Sequence, residues 1–535
     1  MNDAQRNTIP SLLRAAAAAW PDSEALVEDE LRLTFEQLVD TVYQAARSLI
    51  VSGLEPGDRV AIWAPNISEW IVAALGTHEA GGVVVPINTR FKGREAGFVL
   101  TRSQARFLFT VSDFLETNYV EMLADADAGG DLAELIVMRG EVDDGCTSFS
   151  DFMARGDGLD DAERIARSAA VGPDDLCHIM FTSGTTGAPK GAMLGHGAVC
   201  RAYRSWSDVI GLGPDDRYLI INPFFHSFGL NAGILACLMT GATIIPHPVF
   251  DVPSVMQRIP EEQITMLPGP PAIYQTILNH PDIDQHDMST LRLAVTGAAA
   301  IPVEMITQMR ERLGFETVVT GYGLTESSGI ATMCRHDDDP KTIATTSGRP
   351  IDDVEVIIVD DDGSELDPGE PGEILVRGYN VMLGYLDDPE QTAEVIDAEG
   401  WLHTGDIGVM DKRGYIEITD RKKDMFIVGG FNAYPAEIEN ILVAHESVAD
   451  AALVGVPDKR LGEVGMAWVV PAAGTEPTSD ELRKWCREEM ANYKVPRFFQ
   501  FVDSLPLNAS GKVLKYELRS RGAELAEAAG SELSS

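Results

Sequence analysis

From Leu33 to Leu54 the stretch LTFEQLVDTVYQAARSLIVSGL returns its apolar residues at helical spacing, and Thr34 stands from Gln37 at capping-box separation, so an amphipathic helix is predicted. RVAIWAP, beginning at Arg59, loses that period and reads as a strand. The exchange continues: IVAALGTHEAG is helical, VVVPI extended, LCHIMF from Leu176 to Phe181 a short buried strand, and a helix begins near Gly197. YLIIN is extended, GILACLMTG helical and ATIIP extended. Strands alternating with helices over roughly the first 350 residues predict a layered α/β architecture. Between Asp352 and Ile418 the pattern becomes strand-rich, with VEVIIVD, GEILVRG and GYIEIT separated by Gly and Pro turns, which predicts a β subdomain. A compact mixed α and β unit follows Asp420 and ends in a polar tail from about Glu524.

Length and charge narrow the function. A chain of 535 residues, 45% hydrophobic, exceeds what one compact core organises, so at least two folding units are expected. Its 42 basic and 83 acidic residues give a net charge of -41, which repels nucleic acid and anionic membranes and removes both as partners. Any anion site must therefore be a local exception. Six cysteines without a CxxC pair read as reduced structural thiols of a cytoplasmic protein. SLLRAAAAAWPD near the N-terminus is interrupted by Arg14 and reads as an amphipathic helix, not a secretion signal. The most apolar longer segment, Ala232 to Pro246, is broken by Gly233, Thr240, Gly241 and Thr243 and is too short to span a bilayer, so no stable membrane insertion is expected.

FTSGTTGAPKG, Phe181 to Gly191, crowds hydroxyls, glycines and one lysine into a run suited to a polyphosphate, although a polar surface loop has the same composition. It is not a Walker loop, since Pro189 stands where that pattern needs glycine. With the strand before it and the helix near Gly197 after it, the loop completes a strand, loop and helix arrangement fit for anion capture. GYGLTE (Gly321 to Glu326), WLHTGD (Trp401 to Asp406), DRKKDMFIVGGFNAYPAEIE (from Asp420) and PLNASGK (ending at Lys512) each alone fit a turn or a charged surface.

In that order the five stretches resemble the adenylate-forming superfamily of acyl-CoA synthetases, luciferases and nonribosomal adenylation domains, along essentially the full length. The resemblance implies a large N-terminal domain of layered α/β subdomains plus a β subdomain, residues 1–420, and a small mobile α+β C-terminal domain, residues 421–535. It implies ATP, Mg2+ and coenzyme A: a carboxylate attacks the α-phosphorus to give an acyl-adenylate and pyrophosphate, and a thiol then displaces AMP. Under it Thr182, Ser183, Gly184, Thr185, Thr186, Gly187 and Lys190 hold the β- and γ-phosphates. Gly321, Tyr322 and Gly323 face adenine, and Gly297, Ala298 and Ala299 form the purine slot. Thr325 meets the α-phosphate, Glu326 binds Mg2+, and Asp406 with Arg421 takes the ribose hydroxyls. Lys512 reaches the reacting carboxylate, Lys423 is the hinge, and Gly429 and Gly430 open the loop that serves the thiol step.

An isolated histidine among aromatics, such as His226 in NPFFHSFG, is ordinarily a core residue; under the resemblance it gates or orients between acyl pocket and thiol channel. The implied partners are a hydrophobic carboxylic acid, ATP and coenzyme A, with a homodimer left open. The run YLIINPFFHSFGLNAGILACLMTGATIIPH is most similar to actinobacterial ligases that activate the bicyclic propanoate of steroid-ring degradation; medium-chain fatty acids and aryl acids are the other candidates. The rival readings are a stand-alone amino-acid or aryl-acid adenylating enzyme and a catalytically silent binding protein on the same scaffold. Against the first, no carrier-domain sequence follows Lys512.

Overall fold

The structure, a computed structural model, describes residues 7–126, 131–182, 189–297, 301–421, 424–428, 431–458, 461–490, 492–507 and 513–532. The capping box forms as the spacing predicts: the Gln37 amide donates to Thr34 Oγ1 at 3.3 Å and Thr34 N–H to Gln37 Oε1 at 2.9 Å, opening the helix Phe35–Val51. Its apolar stripe, including Leu38, Val42 and Leu49, is buried.

An eight-stranded sheet carries the first layer. Its order is Gly384–Tyr385, Lys190–Gly195, Leu176–Thr182, Val83–Pro86, Arg59–Trp63, Ala105–Val111, Glu134–Arg139 and Thr147–Ser148. The strands from Leu176–Thr182 onward are parallel, so Pro86 and Thr182 both lie at carboxyl ends, the edge where open α/β sheets bind ligands. In a second region Leu293–Thr296 pairs parallel with Thr317–Tyr322, which brings GYGLTE to a carboxyl end as well. Four antiparallel strands, Val354–Val359, Pro371–Gly378, Leu402–Met410 and Ile416–Arg421, make the β subdomain.

Buried apolar side chains separate into two cores, one running from Ile9 to Ile416 and the other from Phe426 to Ala526. The fold is thus a large N-terminal α/β domain followed by a small one. The latter wraps the helices Pro435–Val443, Ser479–Glu489 and Lys515–Glu532 around a five-stranded sheet.

Three local expectations change. Lys190–Gly195 is a strand paired with Leu176–Thr182, set between the loop and the helix His196–Ile210, which itself begins where the sequence places it. Six extended residues, about 20 Å of chain, therefore run from Lys190 to that helix, which places its N-terminal dipole at the far end of the strand from Lys190. GILACLMTG is helical but opens within a π-helical turn, Leu230–Leu235. The expected tail after Glu524 continues as helix to Glu532, in keeping with the helix propensity of its Ala and Glu residues.

Candidate active site

Lys190, Glu326 and an unforeseen tyrosine meet beside the end of the strand Leu176–Thr182. Thr182 is paired with Lys190 across the hairpin, and on the far edge of Lys190–Gly195 the short strand Gly384–Tyr385 sets Tyr385 opposite Ala192. Residues two apart share a sheet face, so Lys190 and Tyr385 are diagonal neighbours. Lys190 Nζ lies 5.0 Å from the centre of the Tyr385 ring and donates to Gln391 Oε1. The Tyr385 hydroxyl donates to Glu326 Oε1 at 2.8 Å. Burial first, and the Glu326 charge next, push the phenol's pKa far above its ordinary value, so it remains a donor. Glu326 itself sits in the 3-10 turn Thr325–Ser327, immediately beyond the strand Thr317–Tyr322.

A single carboxylate is a poor metal site alone, and among the described residues no group of three or more His, Cys, Asp or Glu could hold a metal ion. One carboxylate does suit a Mg2+ whose other ligands are phosphate and water oxygens. The residues present therefore fit an ion delivered with its nucleotide.

The adenine and ribose candidates are built more tightly. The Tyr322 hydroxyl donates to Asp406 Oδ2 at 2.6 Å, with 9% and 5% of these residues exposed, so the contact excludes water. Asp406 is paired directly with Arg421 on the neighbouring strand. Gly297 comes up against the Gly321 carbonyl, from which an added Cβ would stand 3.5 Å. Gly323 has no such latitude: a Cβ there would lie 2.4 Å from the backbone of Ile330.

On the acyl side His226 is exposed and caps the short helix Ser227–Gly229, its Nδ1 accepting from Phe228 N–H at 3.1 Å. With Asn88, Phe91, Phe181, Phe225 and Thr325 it lines a cavity of about 60 Å³. The histidine thus lies at the edge of this cavity and outside the core. Behind it the Ser227 hydroxyl donates to the Ser328 carbonyl at 3.2 Å, so it accepts from Tyr203 at 2.9 Å and from Asn231 Nδ2 at 3.0 Å. Burial pushes the Tyr203 pKa up to about 12, which keeps that phenol a donor. This buried node ties the His226 loop to the Thr325–Ser327 turn. It requires Gly329 at φ +92, because a Cβ there would come 2.3 Å from Ser227 Oγ.

Ser183, Gly184, Thr185, Thr186, Gly187, Ala298, Ala299, Lys423, Gly429, Gly430 and Lys512 lie outside the described residues, as does the side chain of Arg421. In the C-terminal domain a cavity of about 710 Å³ is lined by Arg483, Arg487 and Arg497 beside Tyr493. Arg497 pairs with Asp458 at 2.7 Å and Arg483 with Asp480 at 2.7 Å, while Arg487 has no ion pair among the described residues.

Tyr385, Gln391 and the Ser227 node escaped the sequence reading. Gln391 had a signal, since Asp388 followed by Pro389 is a helix-start pattern and the Asp388 side chain accepts the Gln391 N–H. Tyr385 and Ser227 carry no local mark.

The family described as AMP-binding enzyme matches residues 13–386, and the AMP-binding enzyme C-terminal domain matches residues 437–512. A 3-[(3aS,4S,7aS)-7a-methyl-1,5-dioxo-octahydro-1H-inden-4-yl]propanoyl:CoA ligase of Rhodococcus jostii (strain RHA1) is 50% identical over 96% of this chain and 99% of its own. The ligase of the same name from Mycobacterium tuberculosis is 50% identical over 96% and 99%. The solved anthranilate CoA ligase AuaEII in complex with anthranoyl-AMP superposes with a TM-score of 0.85 at 28% identity, covering 97% of this chain and 98% of that one. The chain belongs to the AMP-binding enzyme family, as an ATP-dependent acyl-CoA ligase that works through an acyl-AMP intermediate.

Proposed function

We propose that the acid is a polycyclic, ketone-bearing propanoate of the kind released when steroid rings are opened. The observation that carries this reading is the 50% identity, sustained over 96% of the chain, to ligases named for such an acid.

In the adenylation step an anionic carboxylate must approach a polyanion, so positioning and charge compensation dominate. Lys190 holds the outer phosphates, Thr325 the α-phosphate, and Asp406 with Arg421 the ribose. Mg2+, when bound, neutralises phosphate charge, and Glu326 is the side chain that would hold it. Lys512 supplies the cation at the reacting carboxylate and then withdraws as residues 421–535 rotate about Lys423. His226 orients the incoming thiol, and the three guanidiniums around the C-terminal cavity, unusual in a chain of net charge -41, receive the phosphates of the coenzyme A nucleotide.

A thioester-formation panel of short, medium and long fatty acids, aryl acids and polycyclic propanoates tests the reading. The polycyclic propanoate should give a kcat/KM at least about tenfold above octanoate, the low end of what a shape-matched apolar pocket discriminates. A medium-chain acid in first place would overturn it.

A further inference from the structure

Tyr385 has contacts that none of these roles explains. Its backbone is pinned on both sides, with Leu383 N–H donating to Met193 O and Leu386 N–H to Gly191 O, each at 2.8 Å. Its own N–H donates to Thr392 Oγ1 at 2.9 Å. Only 7% of the residue is exposed, so the ring cannot swing. From that fixed place the ring face lies under the Lys190 ammonium at 5.0 Å, and the hydroxyl takes Glu326 Oε1 at 2.8 Å. Glu326 is anchored from its other end as well, because its carbonyl accepts from Met382 N–H at 2.8 Å. Its second carboxylate oxygen, Oε2, has no hydrogen-bond partner among the described residues.

We infer that Tyr385 is a positioning residue for the metal–nucleotide complex: its hydroxyl holds Oε1 of Glu326, which leaves Oε2 for the metal, while its ring fixes the Lys190 ammonium alongside. The inference rests on the roles proposed above for Glu326 and Lys190. One rigid side chain then sets the spacing between the cation that meets the phosphates and the carboxylate that meets their metal. Gln391 Oε1 accepts from the Lys190 ammonium, and Gln391 Nε2 donates to Glu394 Oε2 at 2.7 Å. A neutral amide is a weaker partner for an ammonium than a phosphate, so it yields when the nucleotide arrives.

Tyr385→Phe keeps the ring and removes only the hydroxyl. Losing an outer hydrogen bond to a metal ligand typically costs ten- to a hundredfold in metal affinity. The Mg2+ concentration for half-maximal carboxylate-dependent pyrophosphate exchange should therefore rise about tenfold, with the ATP KM at saturating Mg2+ within about twofold of the parent. Mn2+ titrated into the full chain with a non-hydrolysable ATP analogue, read by electron paramagnetic resonance, should bind more weakly by the same factor. Tyr385→Leu also removes the ring face and should raise the ATP KM about fivefold on top of the metal effect. A purely structural role would lower Tm in both variants and leave the metal constant alone. Unchanged Mg2+ and Mn2+ constants in Tyr385→Phe overturn the role of Tyr385 while leaving the ligase reading standing. Parent protein that exchanges pyrophosphate with no metal requirement overturns the reading of Glu326, and the role of Tyr385 with it.

Discussion

The corner proposed for the nucleotide and the corner proposed for the acid, both in the large domain, are built in opposite ways. At the first, Tyr322 and Asp406 are buried against each other at 2.6 Å, and Tyr385 holds Glu326 at 2.8 Å. At the second, His226 stands exposed beside a cavity of about 60 Å³, and the order lies one layer behind it, in the Ser227 node. Under the proposed roles, a nucleotide common to every turnover rewards a preformed, water-excluding site, whereas an acid and a thiol that arrive in turn need room. The closed corner should therefore respond to mutation in both stability and binding, and the open one in rate alone.

The sharpest break should come from the small domain. Lys512→Ala should lower adenylation by at least about a thousandfold, the scale of losing a key charge stabiliser, yet still convert supplied acyl-adenylate and coenzyme A to thioester. Lys423→Pro should do the reverse; equal damage to both half-reactions in both variants would remove support for rotation about Lys423. Next, Asp406→Ala should raise the ATP KM about a hundredfold and cost about 2 kcal/mol of stability, because the buried Tyr322 hydroxyl loses its acceptor. Adding Tyr322→Phe should recover most of that stability and none of the KM, which chemical denaturation beside steady-state kinetics would show. His226→Ala should slow thioester formation about tenfold and leave both adenylation and Tm near the parent values, as an exposed side chain allows.

The smallest effect at neutral pH lies behind both corners. His78, His178 and His196 are buried together, and His78 Nε2 meets His178 Nε2 at 3.2 Å. Burial, reinforced by neighbouring histidines at His78 and His178, holds all three below the usual histidine range: His178 at about 3, His196 at about 4 and His78 well below its ordinary value. Unfolded histidine titrates near 6.5, so below that pH the unfolded chain binds protons that the native one refuses. Stability is full above about pH 6.5 and falls towards the folded values, by up to about 1.4 kcal/mol per pH unit for each histidine. A melting series from pH 7.5 to 5 should show that acid limb, and His178→Phe should flatten it; an unchanged limb would rule His178 out as its source.

How far the sequence reads depends on the distance between partners. The helix Phe35–Val51 was legible because its cap and stripe are local. The site motifs were legible because each compresses unusual chemistry into a few residues. Tyr385 was not: a two-residue strand has no period, and its partners Ala192 and Glu326 lie 193 and 59 positions away. The strand Lys190–Gly195 was missed because KGAMLG, with glycine at two of six places, shows no alternation. Ser227 reads as an ordinary loop hydroxyl until Tyr203, Asn231 and Ser328 close around it.

The π-helical turn Leu230–Leu235 gives the segment behind His226 a length that can be changed by one residue. A π-turn holds one residue more than the α-helix that would replace it, and here it lies between the His226 cap and the buried helix Ala236–Thr240. Deleting a single residue inside it would let the turn relax to α-helix. The flanking segments would keep nearly their present phase, and only the residues inside the turn would change the side they face. A one-residue change of length here is thus absorbed locally, between the Ser227–Gly229 turn and the helix Ala236–Thr240.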